Sequence, residues 1–450
     1  MKTFINNFVE RIRSDKCRNI INKCGIFVIL FYYFVGLLSY ITVPITPIYR
    51  LFVSSSGFAV AIRILLIAIV LIYSILVVIA NKEKIKWHWV VIFVSLLFCC
   101  LISIIISPSK YELIYQEALY GVIHKKTISP GFMKNLIMYF SSVADFVFAF
   151  CILFILPIVI NNKKQILYLL LPIVVICLFE CLYSIVKEKD VYLYLIQNPN
   201  DIFGGYGHEI KATFVSKQDW GAFLGISFTS AFFSLFLLEK HKKINVVIRI
   251  GLVIAALIFA IFSVLSLCKT AMLGIGLSLI VYAICLVVLT YKKNKVLFAC
   301  FCGLLSAVIL FVALFFIVPQ FHSSGIFKKA YDFVQNLILN RVDTALGGRM
   351  SLWLTFVENI RSYNFFFGLG KANVTAYTST LQVEGQAMMH NGLFYFLASY
   401  GVVGFLILVI LFIYVIKNVW LCRKNELGCT FGMIASIVCA ISFVLAEAEV

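Results

Sequence analysis

Five side chains in this chain are of types and in positions that could do chemistry. His390, in Met388-Met389-His390-Asn391-Gly392, precedes a long apolar run, and a histidine is the side chain best suited to move a proton near neutral pH. An interfacial histidine at a helix start also has an ordinary structural reading. Lys269, in Ser266-Leu267-Cys268-Lys269-Thr270, falls at a tight turn between two apolar runs. Lys211 and Lys217 lie in a glycine-rich loop, Gly204-Gly205-Tyr206-Gly207-His208 onward, that leads into the run starting at Trp220. Lysine offers a point charge to phosphate and glycine lets a backbone approach a ligand, although a solvated basic loop accounts for the same residues. Arg349 follows Gly347-Gly348 at the expected start of a helix, where a cation opposes the macrodipole unless an anion binds there.

Several chemistries lack their signatures. The glycines at 204–207 are not followed by the GK[ST] of a phosphate-binding loop, and HExxH, a paired-carboxylate spacing and a Gly-x-Ser-x-Gly elbow in a plausible setting are missing. The fourteen cysteines fall in apolar runs or basic flanks, away from the two long loops that follow residues 187 and 319, which reads as reduced, packing cysteine without metal-type CxxC spacing.

The elements that position these groups are membrane spans. Hydrophobic residues make up 62% of the 450 and charged residues 13%, with a mean hydropathy of +1.02. A soluble chain carries roughly a quarter charged residues. Apolar runs of about 20 residues, enough for a ~30 Å hydrocarbon core, recur along the chain. Runs such as Ile244–Leu267 are apolar on every face, so the spans are helical and the fold class is all-α: a polytopic bundle of about 11 spans (10 to 12) in one integral membrane domain, residues 1–450. Spans are expected near residues 25–43, 58–80, 87–107, 136–160, 165–186, 220–238, 244–265, 269–290, 296–318, 392–416 and 428–446. The first, preceded by Arg11, Arg13, Lys16, Arg18 and Lys23, reads as an uncleaved span because no small-residue cleavage site follows it.

Charge then fixes the sides. Asn81–Lys86, Asn161–Gln165, Glu239–Lys243, Tyr291–Lys295 and Lys417–Glu426 are short and basic, hence cytoplasmic, with the N-terminus inside. The net charge of +18 is spread over these loops and does not form a nucleic-acid patch. Pro108–Asn135, Lys187–Asp219 (chiefly 187–219) and Pro319–Met389 (319–389) are the outer loops, and all the candidate residues gather on that side. In the last of these, Ile326, Phe327, Ala330, Tyr331, Val334, Leu337 and Ile338, and then Met350, Trp353, Leu354, Val357 and Ile360, are spaced as two short surface helices. Ionisable groups at membrane depth each need a reason: Arg63 and Arg249 can snorkel, while Asp145, Glu180 and Glu447 carry no role from sequence.

Taken together, Gly347-Gly348-Arg349-Met350-Ser351-Leu352-Trp353, then Phe367-Gly368-Leu369-Gly370, then His390-Asn391-Gly392 running on to Gly401-Val402-Val403-Gly404, resemble the O-antigen polymerase and O-antigen ligase superfamily of bacterial membrane glycosyltransferases. Upstream, Ser266-Leu267-Cys268-Lys269 is similar to the family's Ser-x-x-Arg turn and Lys211-Ala212-Thr213-Phe214 to its Arg-x-x-Phe loop, with lysine in place of arginine in both. The resemblance implies transfer of a glycan from a polyprenyl-pyrophosphate-linked donor to a sugar hydroxyl, outside the cytoplasmic membrane, with no cofactor and no required metal. It implies that Lys211, Lys269, Arg349 and the competing Lys217 hold the pyrophosphate, that His390 activates or orients the acceptor, and that Asn391, Gly348 and Gly370 support them. Membrane lipid and a chain-length regulator of the same pathway are the partners it implies, and nucleic acid is not among them. Three functions follow: a polymerase of lipid-linked repeat units, a ligase that moves the finished glycan to an acceptor, or, in another class, a flippase for the lipid-linked unit. Charges clustered at the outer face and the lack of an internal repeat speak against transport. A non-catalytic envelope assembly protein would instead predict silent substitutions at His390 and Arg349.

Overall fold

The structure, a computed structural model, describes residues 9–40, 57–82, 87–106, 113–119, 122–128, 162–198, 212–214, 217–238, 243–266, 268–291, 349–358, 365–369, 391–421 and 427–446, with single positions such as Ile155, Ile210 and Val374 between them. Among the described residues the architecture is chiefly helical: α1 Asp15–Tyr40, α2 Gly57–Ala80, α3 Trp87–Ile106, α4 Lys163–Lys187, α5 Lys189–Gln197, α6 Lys217–Leu237, α7 Lys243–Leu265, α8 Lys269–Tyr291, α9 Arg349–Glu358, α10 Gly392–Leu421 and α11 Leu427–Ala446. One addition is a two-stranded antiparallel hairpin between α3 and α4, β1 Leu113–Leu119 paired with β2 Val122–Ile128 and in register from Leu113 opposite Ile128 to Leu119 opposite Val122. Among the described residues, α4, α6, α7, α8, α10 and α11 contain stretches long and apolar enough to cross a bilayer. The expected spans 136–160 and 296–318, and most of the first surface helix of the last loop, lie largely outside the described residues.

By its internal packing the chain divides into two units, residues 1–169 with 352–413 and residues 170–351 with 414–448. In the second, α6 packs against α7, α8 and α11. Its buried residues Trp220, Leu224, Ser227, Phe228, Ala231 and Ser234 recur every three or four positions, so small and aromatic side chains share one seam. Close approach relies on small residues, as lipid-facing bundles require: a Cβ on Gly274 would meet Cys439 Sγ at 3.2 Å, and one on Gly428 would meet Phe236 Cδ1 at 2.7 Å. Hydroxyls tie the same seam, with Ser278 Oγ donating to the Gly274 and Ala435 carbonyls at 2.7 and 3.1 Å and the Tyr282 hydroxyl to the Thr229 carbonyl at 3.3 Å. Arg249 reaches the end of α6, where its Nη2 donates to the Leu238 carbonyl at 2.7 Å and satisfies an acceptor that the helix terminus leaves open.

In the first unit, α1 and α2 pack around Ile29, Val70, Val77, Ile155, Ile158, Val159 and Leu169. Asn22 and Asn81 exchange side-chain amide hydrogen bonds of 3.2 and 2.9 Å across the pair. The expected continuous span 392–416 is corrected by a break at Gly401, where φ is 66° and ψ is −171°. Residues 402–421 beyond the break number about 20, which at ~1.5 Å each span ~30 Å, and the whole stretch Gly392–Leu421 is long and apolar enough to cross a membrane.

Candidate functional site

The first set of candidate residues is organised by the break in α10. A continuous helix would pair the Val402 N–H with the Ala398 carbonyl. Instead the Ala398 carbonyl accepts from the Leu369 N–H at 2.8 Å, while the Val402 and Val403 N–H groups donate to the Phe365 and Phe366 carbonyls at 3.0 and 3.2 Å. The segment Phe365–Leu369 thus takes over the bonds that the helix gives up, which is how a membrane chain can hold a non-helical backbone inside protein. Gly368, at φ +76°, sits against this break, and a Cβ there would lie 2.6 Å from Gly401 N and from Ser399 C and O. The reciprocal Cβ on Gly401 would strike Phe366 O, C and N of the next residue. The Phe-Gly-Leu-Gly element is therefore the docking piece of a helix break. Its last residue, Gly370, lies outside the described residues.

The short half-helix Gly392–Tyr400 that results is capped by Asn391, whose buried Oδ1 accepts from the Leu393 and Phe394 N–H groups at 3.0 and 3.2 Å. Asn391 therefore shapes the helix start, and His390 is the residue immediately before that cap. Onto the same half-helix packs α9. The Trp353 ring stacks on Phe394 with centroids 5.5 Å apart, and Phe356 meets Phe394 edge-on at 6.1 Å, within a core that includes Leu369, Val374, Tyr395 and Ala398. Phe356 is fully buried in this packing, whereas Leu354 and Val357 are about half exposed. Helix α9 begins at Arg349, one turn before Trp353. His390, Gly348 and the Arg349 side chain lie outside the described residues.

The lysines belong to the second unit. Helix α6 begins at Lys217 and α8 at Lys269. A Cβ on Gly221, one turn into α6, would meet Cys268 Sγ at 2.5 Å and Ala271 Cβ at 3.1 Å, so the first turns of the two helices run side by side. The segment that carries Lys211 joins them through Phe214, whose ring lies 5.5 Å from Trp220 and 5.4 Å from Phe223. Residues 217 and 269, and the segment 212–214, consequently occupy one end of one helical unit. Lys163 and Lys243 also begin helices, at basic loops, so a lysine at a helix start marks nothing alone; the convergence is the finding. The side chains of Lys217 and Lys269, and Lys211 itself, lie outside the described residues.

A polar cluster beside this end was not legible as a group in the sequence. Ala212 is fully buried at φ +51°, a left-handed conformation that costs a non-glycine residue roughly 1–2 kcal/mol. Lys187 Nζ donates to its carbonyl at 2.6 Å, and its N–H donates to Glu188 Oε2 at 3.3 Å. Ser184 Oγ donates to the same carboxylate oxygen at 2.8 Å and lies 2.7 Å from the Tyr192 hydroxyl. Burial pushes the Tyr192 phenol up, so it remains a hydroxyl at neutral pH. Thr213 Oγ1 donates to Glu180 Oε2 at 2.7 Å, which accounts for a carboxylate at membrane depth. Asp145, Glu447 and the Arg63 side chain lie outside the described residues.

No curated protein matches the chain. Residues 254–409 match the family model described as O-antigen ligase, a segment that takes in the turn before Lys269, the start of α9, the Phe365–Leu369 element and the break in α10. Over that segment, less than half of the chain, the protein is similar to the O-antigen ligase family, and among the described residues six helices are long and apolar enough to cross a membrane.

Proposed function

We propose that the protein polymerises lipid-linked oligosaccharide repeat units into a surface polysaccharide, by glycosyl transfer from a polyprenyl-pyrophosphate donor on the outer side of the membrane. The observation that carries the reading is the packing of Gly221 on Cys268, which sets the starts of α6 and α8 side by side. In this reading Lys211, Lys217 and Lys269, together with Arg349, hold the pyrophosphate, and Asn391 fixes the helix start that His390 precedes. His390 accepts the proton of the acceptor hydroxyl while that oxygen bonds to the anomeric carbon. The carbon's bond to the phosphate oxygen breaks, and the pyrophosphate leaves on its lipid. A leaving group that gains negative charge is stabilised by pre-placed cations and by helix N-termini, each charge-assisted hydrogen bond contributing roughly 1.5–3 kcal/mol. The N-terminus is cytoplasmic in this topology.

The described pieces of the outer loops include a nine-residue helix, a ten-residue helix and a two-stranded hairpin, elements of a size to line a glycan groove. A ligase reading is favoured by the description of the matched family. The two are separated by a gel of surface and lipid-linked glycan from a deletion strain, with and without the intact gene. Single repeat units on the normal acceptor, with the ladder restored by the gene, identify a polymerase. Polymer retained on its lipid carrier identifies a ligase and overturns the proposal.

A further inference from the structure

The geometry points to Lys187 and Glu188 as positioning residues for the donor site, acting through the strained backbone of Ala212; the inference rests on the assignment of Lys211 to the pyrophosphate. Ala212 is held against its steric preference at φ +51°, where a glycine would sit freely. Two neighbouring side chains of opposite charge grip its two sides. Glu188 accepts from the N–H of the peptide that joins Ala212 to residue 211, and Lys187 donates to the carbonyl of the peptide that joins it to Thr213. Ser184 and Tyr192 steady the Glu188 carboxylate from behind, and Glu180 holds the Thr213 hydroxyl, so the strained residue is fixed from three directions. Ile210, Ala212, Thr213 and Phe214 are all buried, which leaves the Ala212 backbone little freedom to turn. A backbone outlier that is over-determined by its surroundings, one residue from a candidate donor ligand, is a positioning device in the sense that strain at a binding loop usually is.

The test uses the full-length protein in nanodiscs, with affinity read from binding of undecaprenyl pyrophosphate and loop order read from amide hydrogen exchange over residues 209–215. Glu188→Gln and Lys187→Met are expected to speed exchange in that segment and to weaken binding about tenfold. Adding Ala212→Gly to Glu188→Gln is expected to restore most of the affinity, because glycine takes the left-handed conformation without the grip; a carboxylate needed only for general stability would not be rescued this way. Wild-type exchange and affinity in both single variants would overturn the inference, as would a loss that Ala212→Gly does not repair. Lys211→Ala separates the two layers. If it binds normally, the donor assignment fails; if it is defective while the Lys187 and Glu188 variants are silent, only the positioning role fails.

Discussion

Gly368 and Gly401 face each other across a gap that has no room for a side chain on either: a Cβ on Gly368 would stand 2.6 Å from the Gly401 nitrogen. Both residues also adopt positive φ, +76° and +66°, and the ψ of −171° at Gly401 places it in a region open essentially to glycine alone. Alanine at either position meets a backbone clash and a conformational penalty together. Gly401→Ala and Gly368→Ala are each expected to lower the unfolding free energy by about 2 kcal/mol or more. The double variant should lose less than the sum, since the first substitution already opens the contact. Thermal unfolding in detergent checks this, and strictly additive losses would mean that the two glycines do not share one contact.

How much of this was readable beforehand follows from what each signal encodes. The six long apolar helices found among the described residues were legible because hydrophobicity over about 20 residues is a property of sequence alone. The starts of α6, α8 and α9 were legible from lysine and arginine beside apolar runs. The break at Gly401 was not, because Val402–Leu421 continues the same apolar pattern and the cause is a distant segment, Phe365–Leu369, that supplies replacement hydrogen bonds. The left-handed alanine at 212 gave no signal either, since nothing in the residue type marks it and its partners Ser184, Lys187 and Glu188 lie over twenty residues upstream. The burial of Phe356 gave no signal, because it rests on an aromatic partner in Phe394, a contact that local periodicity cannot encode.

The Asn391 cap yields a second expectation. Its side chain satisfies two N–H groups at the start of the half-helix, and loss of such a cap costs about 0.5–2 kcal/mol. Asn391→Ala should lower both stability and glycan output, while Asn391→Asp, which keeps the accepting oxygen, should retain most of each. Equal loss in the alanine and aspartate variants would show that the amide nitrogen, and not the cap, is what matters.

The cationic end of α6 and α8 makes a third. If they hold the pyrophosphate as proposed, Lys211→Ala and Lys269→Ala each remove one charge-assisted contact, worth roughly 1.5–3 kcal/mol, or about 10- to 150-fold in rate. Arginine at either position should be tolerated better than alanine, because it keeps the charge and adds a fork suited to phosphate. Repeat-unit transfer measured with purified protein and lipid-linked donor decides the matter. Full activity in both alanine variants removes the donor site from this end of the unit.

Arg249 offers a contrast within the same unit. Its guanidinium caps the Leu238 carbonyl and is assigned no part in the chemistry, so Arg249→Met should reduce stability by about 1 kcal/mol or more and leave the KM for donor unchanged. A raised KM with unaltered stability would reassign it from the packing of the bundle to the substrate.

His390 carries the most exposed claim about mechanism. If it takes the acceptor proton, His390→Ala should cut kcat by about 100-fold or more, since general-base assistance contributes typically 10²–10⁴-fold. Affinity for undecaprenyl pyrophosphate should stay near wild type, because the donor is held by the cations and not by the imidazole. Structure should survive as well: the cap that begins the half-helix belongs to Asn391, one residue further on. Arg349→Ala should show the opposite division, with donor binding weakened along with turnover, since a pyrophosphate ligand acts before and during bond breaking. If both variants lose binding and turnover together while the unfolding temperature holds, the imidazole belongs with the donor ligands, and the acceptor proton must leave by another group.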